Sequence, residues 1–208
     1  MILGVDLAGS EKRNTGIALL DGKNFLDIGI VHSDNELLTI IKKTKLEIVA
    51  IDAPLTLPKG RKNINQKNKA HFRECDLKLR KLGIRFFPIT LGPMRMLTKR
   101  GIKLRNKMKK QKIRVVEVFP GASYDIWKVN RKDKREILEM FRKSGFKFKK
   151  RNYTQDEIDA MCCAITGLFI NKQKALALKG KDGCIWLPLS SSRKLSRQHK
   201  PLCLKASP

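Results

Sequence analysis

The sequence predicts a mixed α/β fold, and three observations carry that prediction. Short apolar runs recur that stop at an acid or a proline, at residues 2–6, 47–52 and 115–119. Other segments place apolar residues at three- and four-residue intervals, the spacing of a helix with one buried face. The first three strand-like runs follow one another closely enough to form a meander, while the later ones are set apart by helical stretches.

Ile2-Leu3-Gly4-Val5-Asp6 opens the chain as a strand. Residues 16–20 form the next, and Asp21-Gly22 is a hairpin signal before a third strand at 25–31. Ser33-Asp34-Asn35-Glu36 reads as a capping box for a helix carrying Leu37, Leu38, Ile40 and Ile41. Residues 47–52 are a continuous apolar run closed by Asp52 and then Pro54, the pattern of a strand buried on both faces of a parallel sheet. Residues 56–112 differ in kind, with 19 Lys and Arg against two acids, Glu74 and Asp76. Phe72, Cys75, Leu79 and Leu82 mark one helix there, with Gly83 as its stop. Pro93 opens a second, with Met94, Leu97, Leu104 and Met108 on one face. The stretch reads as a helical insertion with a thin apolar side and a basic exterior. Residues 115–119 resume the sheet, and a helix follows over about 132–143, ending near Gly145. Thr154-Gln155-Asp156-Glu157 is a second capping box, opening the most apolar helix of the chain through about Ile170. Ile185-Trp186-Leu187 is a candidate final strand. One domain is expected over 1–189, followed by a basic tail at 190–208 with too little apolar content to order itself.

The 208 residues hold 46 Lys and Arg against 19 Asp and Glu, a formal net charge of +27. At 41% hydrophobic the chain is no disordered basic tail, and the charge points to a polyanionic partner. No run reaches the roughly 18 apolar residues of a membrane span, so no membrane partner is expected. The start Met-Ile-Leu-Gly-Val-Asp lacks a basic region or a cleavage site, and five cysteines make an odd number. Both point to a reducing, cytoplasmic setting.

In so basic a chain the acids that interrupt apolar segments need explaining, because burying an unpaired carboxylate is costly. They are Asp6, Asp52, Glu117, Asp156 and Asp159. If the strands ending at Asp6 and Asp52 are parallel neighbours, their ends lie roughly 5 Å apart. Two carboxylates that close repel unless they share a proton or a cation, and Mg2+ or Mn2+ prefers such oxygen ligands. Asp156 and Asp159 are three apart on one helix and project from neighbouring positions near its start. Behind them Ala160, Cys163, Ala164 and Gly167 make a small, flat side that could lie against the sheet. Plainer readings exist for four of the five acids, and Asp159, past the first turn of its helix, is the harder one to dismiss. Asp6 and Asp52 can begin turns, Asp156 sits where the helix dipole favours an acid, and Glu117 can pair with one of many arginines.

These segments together resemble a known family. Gly4-Val5-Asp6-Leu7-Ala8-Gly9 with Thr15-Gly16-Ile17-Ala18 is similar to the opening of ribonuclease H-like nucleases. Ala50-Ile51-Asp52-Ala53-Pro54, Arg73-Glu74-Cys75-Asp76, Val116-Glu117-Val118-Phe119-Pro120 and Asp156-Glu157-Ile158-Asp159-Ala160 continue it in order. Over roughly residues 1–170 they resemble the predicted nucleases grouped as domain of unknown function 429, and the last helix resembles that of Holliday-junction resolvases. The resemblance implies a mixed five-stranded sheet, three strands antiparallel and two more parallel to the first, flanked by helices. It also implies phosphodiester hydrolysis with two Mg2+ or Mn2+ ions held by Asp6, Asp52, Asp159 and Asp156. Glu117 is counted with them as a catalytic and metal-binding candidate, although it has no clean counterpart among the resolvases. Nucleic acid, DNA or RNA, is the implied partner; junction cutters act as dimers, so a homodimer stays open.

Phosphate contacts are expected from Lys12 and Arg13 after the first strand, and from Arg61, Lys62, Arg73, Arg80, Arg95, Lys99 and Arg100 in the basic stretch. Asp76 and Arg80, four apart, read as a helix-surface ion pair. Phe86, Phe87 and Tyr153 read as core rather than as a stacking platform for single strands. Three other classes compete. A sugar-kinase-like ATPase could use Asp6-Leu7-Ala8-Gly9, but the chain is short and has no second Gly-rich loop. Structural zinc could draw on His71, Cys75, Cys184, His199 and Cys203, though no CxxC occurs. A nucleic-acid binder that does not cut explains the charge equally well but leaves the acids unexplained.

Overall fold

The computed structural model describes residues 1–189, so the tail at 190–208 lies outside the described residues. The first half follows the expected order: β1 (Ile2–Asp6), β2 (Thr15–Asp21), β3 (Asn24–Val31), α1 (Asp34–Lys43) and β4 (Ile48–Asp52). Then come α2 (Glu74–Lys81), α3 (Gly92–Lys110), β5 (Val115–Val118), α4 (Pro120–Trp127), α5 (Lys134–Lys143), α6 (Gln155–Asn171), β6 (Ala175–Lys179) and β7 (Cys184–Pro188). Both capping boxes form. Ser33 Oγ accepts from the Glu36 amide at 3.1 Å, and Thr154 Oγ1 accepts from the Glu157 amide at 3.2 Å while Glu157 Oε2 takes the Thr154 amide at 2.8 Å.

The sheet has seven strands in the order β3-β2-β1-β4-β5-β7-β6. The expected five are all present: β1–β3 form the antiparallel meander, and β4 and β5 run parallel to β1. The count is corrected by a hairpin that extends the sheet past β5, where β7 pairs parallel with β5 and β6 antiparallel with β7. β6 carries the alternating Ala-Leu-Ala-Leu-Lys of a half-exposed edge strand, with Leu178 turned into the core and Lys179 out.

Alternation along the strands sends one set of side chains to each face. Ile2, Ala18, Leu20, Ile48, Ala50, Val116 and Val118 pack beneath α4, α5 and α6. Leu3, Val5, Ile17, Val49 and Ile51 pack against Leu37 and Ile41 of α1 and Leu104 and Met108 of α3. The basic stretch therefore contributes a core helix, α3, as well as an exterior. A third apolar cluster joins Cys75 and Leu79 of α2 to Leu178, Ile185 and Leu187 of the added hairpin.

Glycines set how closely α6 approaches. A Cβ on Gly4 would fall 2.0 Å from the Ala160 carbonyl oxygen, and one on Gly16 would fall 2.0 Å from that of Asp156. Real atoms do not approach so closely, so only glycine lets the helix backbone rest on β1 and β2. The small side of α6 thus serves the close packing its composition suggests.

Candidate active site at the strand ends

Asp6 and Asp52 are register partners at the carboxyl ends of the parallel strands β1 and β4. Both continue the face lined by Ile2, Gly4, Ile48 and Ala50, over which α6 lies. Asp6 also pairs in register with Gly16 of β2, and the Asp156 backbone rests on Gly16. The glycine contact therefore fixes the start of α6 beside Asp6. One turn along, Asp159 Oδ1 accepts from the Tyr124 hydroxyl at 2.7 Å and from Gln155 Nε2 at 3.0 Å.

The four aspartates feel one another. Burial, followed by the charges of Asp52, Asp159 and Asp156, pushes the Asp6 carboxyl well above its ordinary range. Burial, Asp159 and Glu117 do the same to Asp52. Burial lifts Asp159 to about 6 although the Tyr124 and Gln155 hydrogen bonds oppose it. Among the described residues no Lys, Arg or His forms an ion pair with any of the four. An all-oxygen, uncompensated donor set suits a hard divalent cation. In the present side-chain arrangement no three His, Cys, Asp or Glu side chains among the described residues converge on one point. Asp159 is turned instead toward its two hydrogen-bond donors.

Glu117 departs from the expected set. It points to the opposite face of the sheet, where Arg73 Nη1 and Nη2 donate to its two oxygens at 2.7 and 2.6 Å. The Leu55 amide adds a third bond at 2.9 Å. Arg73 also donates to Asp76 Oδ2 at 3.1 Å and Oδ1 at 2.7 Å, and to Thr56 Oγ1 at 3.1 Å. All five guanidinium donors are used, so Arg73 has none left for a phosphate and Glu117 has no oxygen free of a partner. Asp76 belongs to this buried network and not to a surface pair with Arg80, whose guanidinium lies 4.3 Å over the Phe72 ring.

Two more of the expected phosphate contacts are interior. Arg61 is buried and donates to the carbonyls of Ile64, Asn68 and Ala70, gathering its own loop. Arg100 is buried against Asp34 at 2.8 Å and donates to the carbonyls of Ala8, Ser10 and His32, tying α3 to the loop after β1. Lys12, Arg13, Lys62, Arg80 and Lys99 are exposed, and Arg95 is half-buried. Tyr153 is core, whereas Phe86 is half-buried and Phe87 is 67% exposed, because the segment after Gly83 runs across the surface before α3. His71 is bonded to Thr90 at 2.7 Å and Cys75 is buried in the third core cluster. His199 and Cys203 lie outside the described residues.

The acids line three hollows. One of about 510 Å³ holds Asp6, Asp156 and Arg13; one of about 390 Å³ holds Asp159, Tyr124, Arg131 and Lys132. The third, about 860 Å³, adjoins Asp52 and shares Arg131 with the second and Met94 with the first. Tyr124, Gln155 and Arg131 were not among the expected residues. Gln155 is visible in retrospect four positions before Asp159; Tyr124 and Arg131 carry no such spacing.

A three-strand meander continued by parallel strands, with a helix over their carboxyl ends, is a ribonuclease H-like fold. RuvC from Thermus thermophilus in complex with a Holliday junction substrate matches this fold with a TM-score of 0.50 at 13% identity, over 88% of this chain and 98% of that one. A second Thermus thermophilus RuvC structure gives 0.45 at the same identity and coverage. The family model described as "Protein of unknown function (DUF429)" matches residues 4–182, and the chain belongs to that family. No curated protein sequence matches it.

Proposed function

We propose that this chain is a nuclease that hydrolyses phosphodiester bonds of DNA or RNA with Mg2+ or Mn2+, by the two-ion chemistry its resemblance implies, as a single domain over 1–189. The observation that carries the reading is the set of Asp6, Asp52, Asp156 and Asp159, close enough to raise one another's carboxyls and without a counter-cation among the described residues, in a chain of net charge +27. Like charges kept together against their own repulsion need a function, since asparagine would fold there more easily. These four would hold the metal, which when bound supplies Lewis acidity and an activated water. Gln155 and Tyr124 orient Asp159 by their hydrogen bonds. Arg13, exposed in the hollow beside Asp6, would hold a phosphate flanking the scissile one, and Arg131, paired with Asp125 beside Asp159, would offer a phosphate only the donors that pair leaves over. Lys12, Lys62, Arg80, Arg95 and Lys99 extend that contact in a sequence-blind way. The Holliday junction bound to RuvC in the structural neighbour supports nucleic acid as the partner.

A second reading, a binder that does not cut, draws on the engagement of Asp159 with Tyr124 and Gln155 and on the lack of three converged ligands among the described residues. Cleavage of labelled duplex, junction and single-stranded substrates separates the two. The nuclease reading expects cutting in Mg2+ or Mn2+, none in EDTA, and none by Asp6→Asn. Equal nucleic-acid affinity with no cutting in any condition overturns it and leaves the binder.

A further inference from the structure

The cavity of about 860 Å³ beside Asp52 is not needed for hydrolysis of a regular backbone, which requires a charged surface and no deep apolar hole. Its volume falls in the range of small-molecule pockets. Its walls combine the rings of Phe72, Phe86 and Phe119 with the guanidiniums of Arg80 and Arg131. Phe72 and Phe86 stand 5.9 Å apart at 90°, so the cavity meets aromatic surface in two planes. Arg80 lies over Phe72 at 4.3 Å and Arg131 near Phe119 at 5.9 Å.

The distribution of charge selects the occupant. Arg73 also borders the cavity, but all five of its donors are spent on Asp76, Glu117 and Thr56. The inner wall therefore offers flat apolar surface and, among the described residues, no free cation, while Arg80 and Arg85 flank it and Arg131 is held at its edge by Asp125. A phosphate has no partner inside, and a paired base is locked in its stack. A flat base swung out of the strand, with its phosphates left among the arginines, matches both parts. Asp52 lines the same cavity, which places that base next to the acidic cluster.

We propose that this cavity receives one unpaired nucleobase beside the phosphate to be cut, so that strands with an extruded or unpaired nucleotide are preferred over continuous duplex. The proposal rests on the nuclease reading for the word "cut" and on the cavity alone for the base. Its test is binding by the full chain in EDTA, where cleavage plays no part. The probes are a DNA duplex with 2-aminopurine fully paired and the same duplex with 2-aminopurine in a one-nucleotide bulge.

The bulged probe is expected to bind about ten-fold tighter, with a change in 2-aminopurine fluorescence, as one base–aromatic stack warrants. Phe86→Ala removes that preference and leaves duplex affinity unchanged. Pro88→Trp, which adds bulk at a half-buried position lining this cavity and neither hollow beside the acids, does the same and guards against a folding defect in the first variant. Equal affinity for the two probes, an unchanged fluorescence, or equal losses on both probes in the variants overturns the proposal. So does binding of the apolar dye ANS in the cavity that the bulged probe does not displace, which points to an apolar ligand. Cutting of plain duplex in Mn2+ with no preference for the bulge overturns the base pocket and leaves the nuclease standing. A bulge preference without cutting does the reverse.

Discussion

Two groups of buried carboxylates lie one strand apart and are treated in opposite ways. At the end of β5, Glu117 meets Asp76 and Arg73 in a network in which every guanidinium donor finds an oxygen. At the ends of β1 and β4, Asp6 and Asp52 lie near Asp156 and Asp159 with no basic side chain among the described residues bound to them. The first arrangement satisfies itself and holds α2 to the sheet. The second is satisfied only by a proton or by something brought from outside. Buried acids in a basic chain are thus not one class; whether the protein supplies the compensating charge separates scaffold from candidate chemistry.

The sharpest way to break that distinction is to neutralise one acid from each group. Asp6→Asn removes repulsion, so its melting temperature is expected to hold or rise, while cleavage falls about a thousand-fold or more because several kcal/mol of transition-state stabilisation are lost. A melting curve beside a cleavage time course checks both. Arg73→Met should do the opposite. It strands Glu117 and Asp76 as unpaired buried charges, and destabilisation of about 3–5 kcal/mol is expected in urea unfolding, with the folded fraction still cutting. If Arg73→Met is stable and inactive, the two groups have been assigned the wrong way round.

A smaller effect tests the same contrast through pH. Asp6, Asp52 and Asp159 hold their protons more tightly in the folded chain than in the unfolded one. Their contribution to stability is whole below the unfolded value near 4 and is lost as pH rises through the folded value, about 6 for Asp159. For Asp159 alone that amounts to at most about 3 kcal/mol. Asp34 has the opposite sign. Burial pushes its carboxyl up, but hydrogen bonds from Arg100 and Lys103 outweigh burial and hold it below its ordinary value. Its contribution is present at neutral pH and lost as pH falls. Melting of the EDTA-treated protein is therefore expected to weaken between about pH 4 and 7, and Mn2+ at pH 7.5 to restore it. A melting temperature that climbs through this range and ignores Mn2+ removes the case for a cation pocket.

Much of this was legible in the residues. Acids closing apolar runs, two capping boxes and the small side of α6 were enough to foresee that β1 and β4 would pair with Asp6 beside Asp52 and that α6 would lie against the sheet. The fifth acid escaped because a sequence shows that Glu117 sits in a strand but not which arginine waits on the other face. The arginines themselves were only partly hidden. Arg73 stands three residues before Asp76 at a helix start, and Arg100 lies three after Leu97 and four before Leu104, on the buried stripe of α3. β6 was missed because four residues of alternating Ala and Leu, closed by Lys179, between a helix and a turn carry too short a period to announce a strand. α4, eight residues with a proline and a glycine in its first turn, lacks the length for a periodic signal. Its Tyr124 went with it.

The smallest expected effect comes from two neighbours on α3. Arg100 is buried among Asp34 and the carbonyls of Ala8, Ser10 and His32, while Lys99 beside it is exposed. An exposed lysine that meets a phosphate displaces about one condensed counterion, so its loss lowers the slope of log affinity against log salt by about one. Lys99→Ala is expected to show that change with an unaltered melting temperature, weakening all sequences alike. Arg100→Ala should reveal itself in melting instead, because Asp34 loses its partner and the loop that follows Asp6 loses its tether. Titrations of a labelled duplex at four salt concentrations, run beside thermal melts, give both readings from the same preparations. If the salt slope responds to Arg100 and not to Lys99, charge that is already spent inside the fold is reaching the phosphates, and burial is the wrong guide to which cations bind.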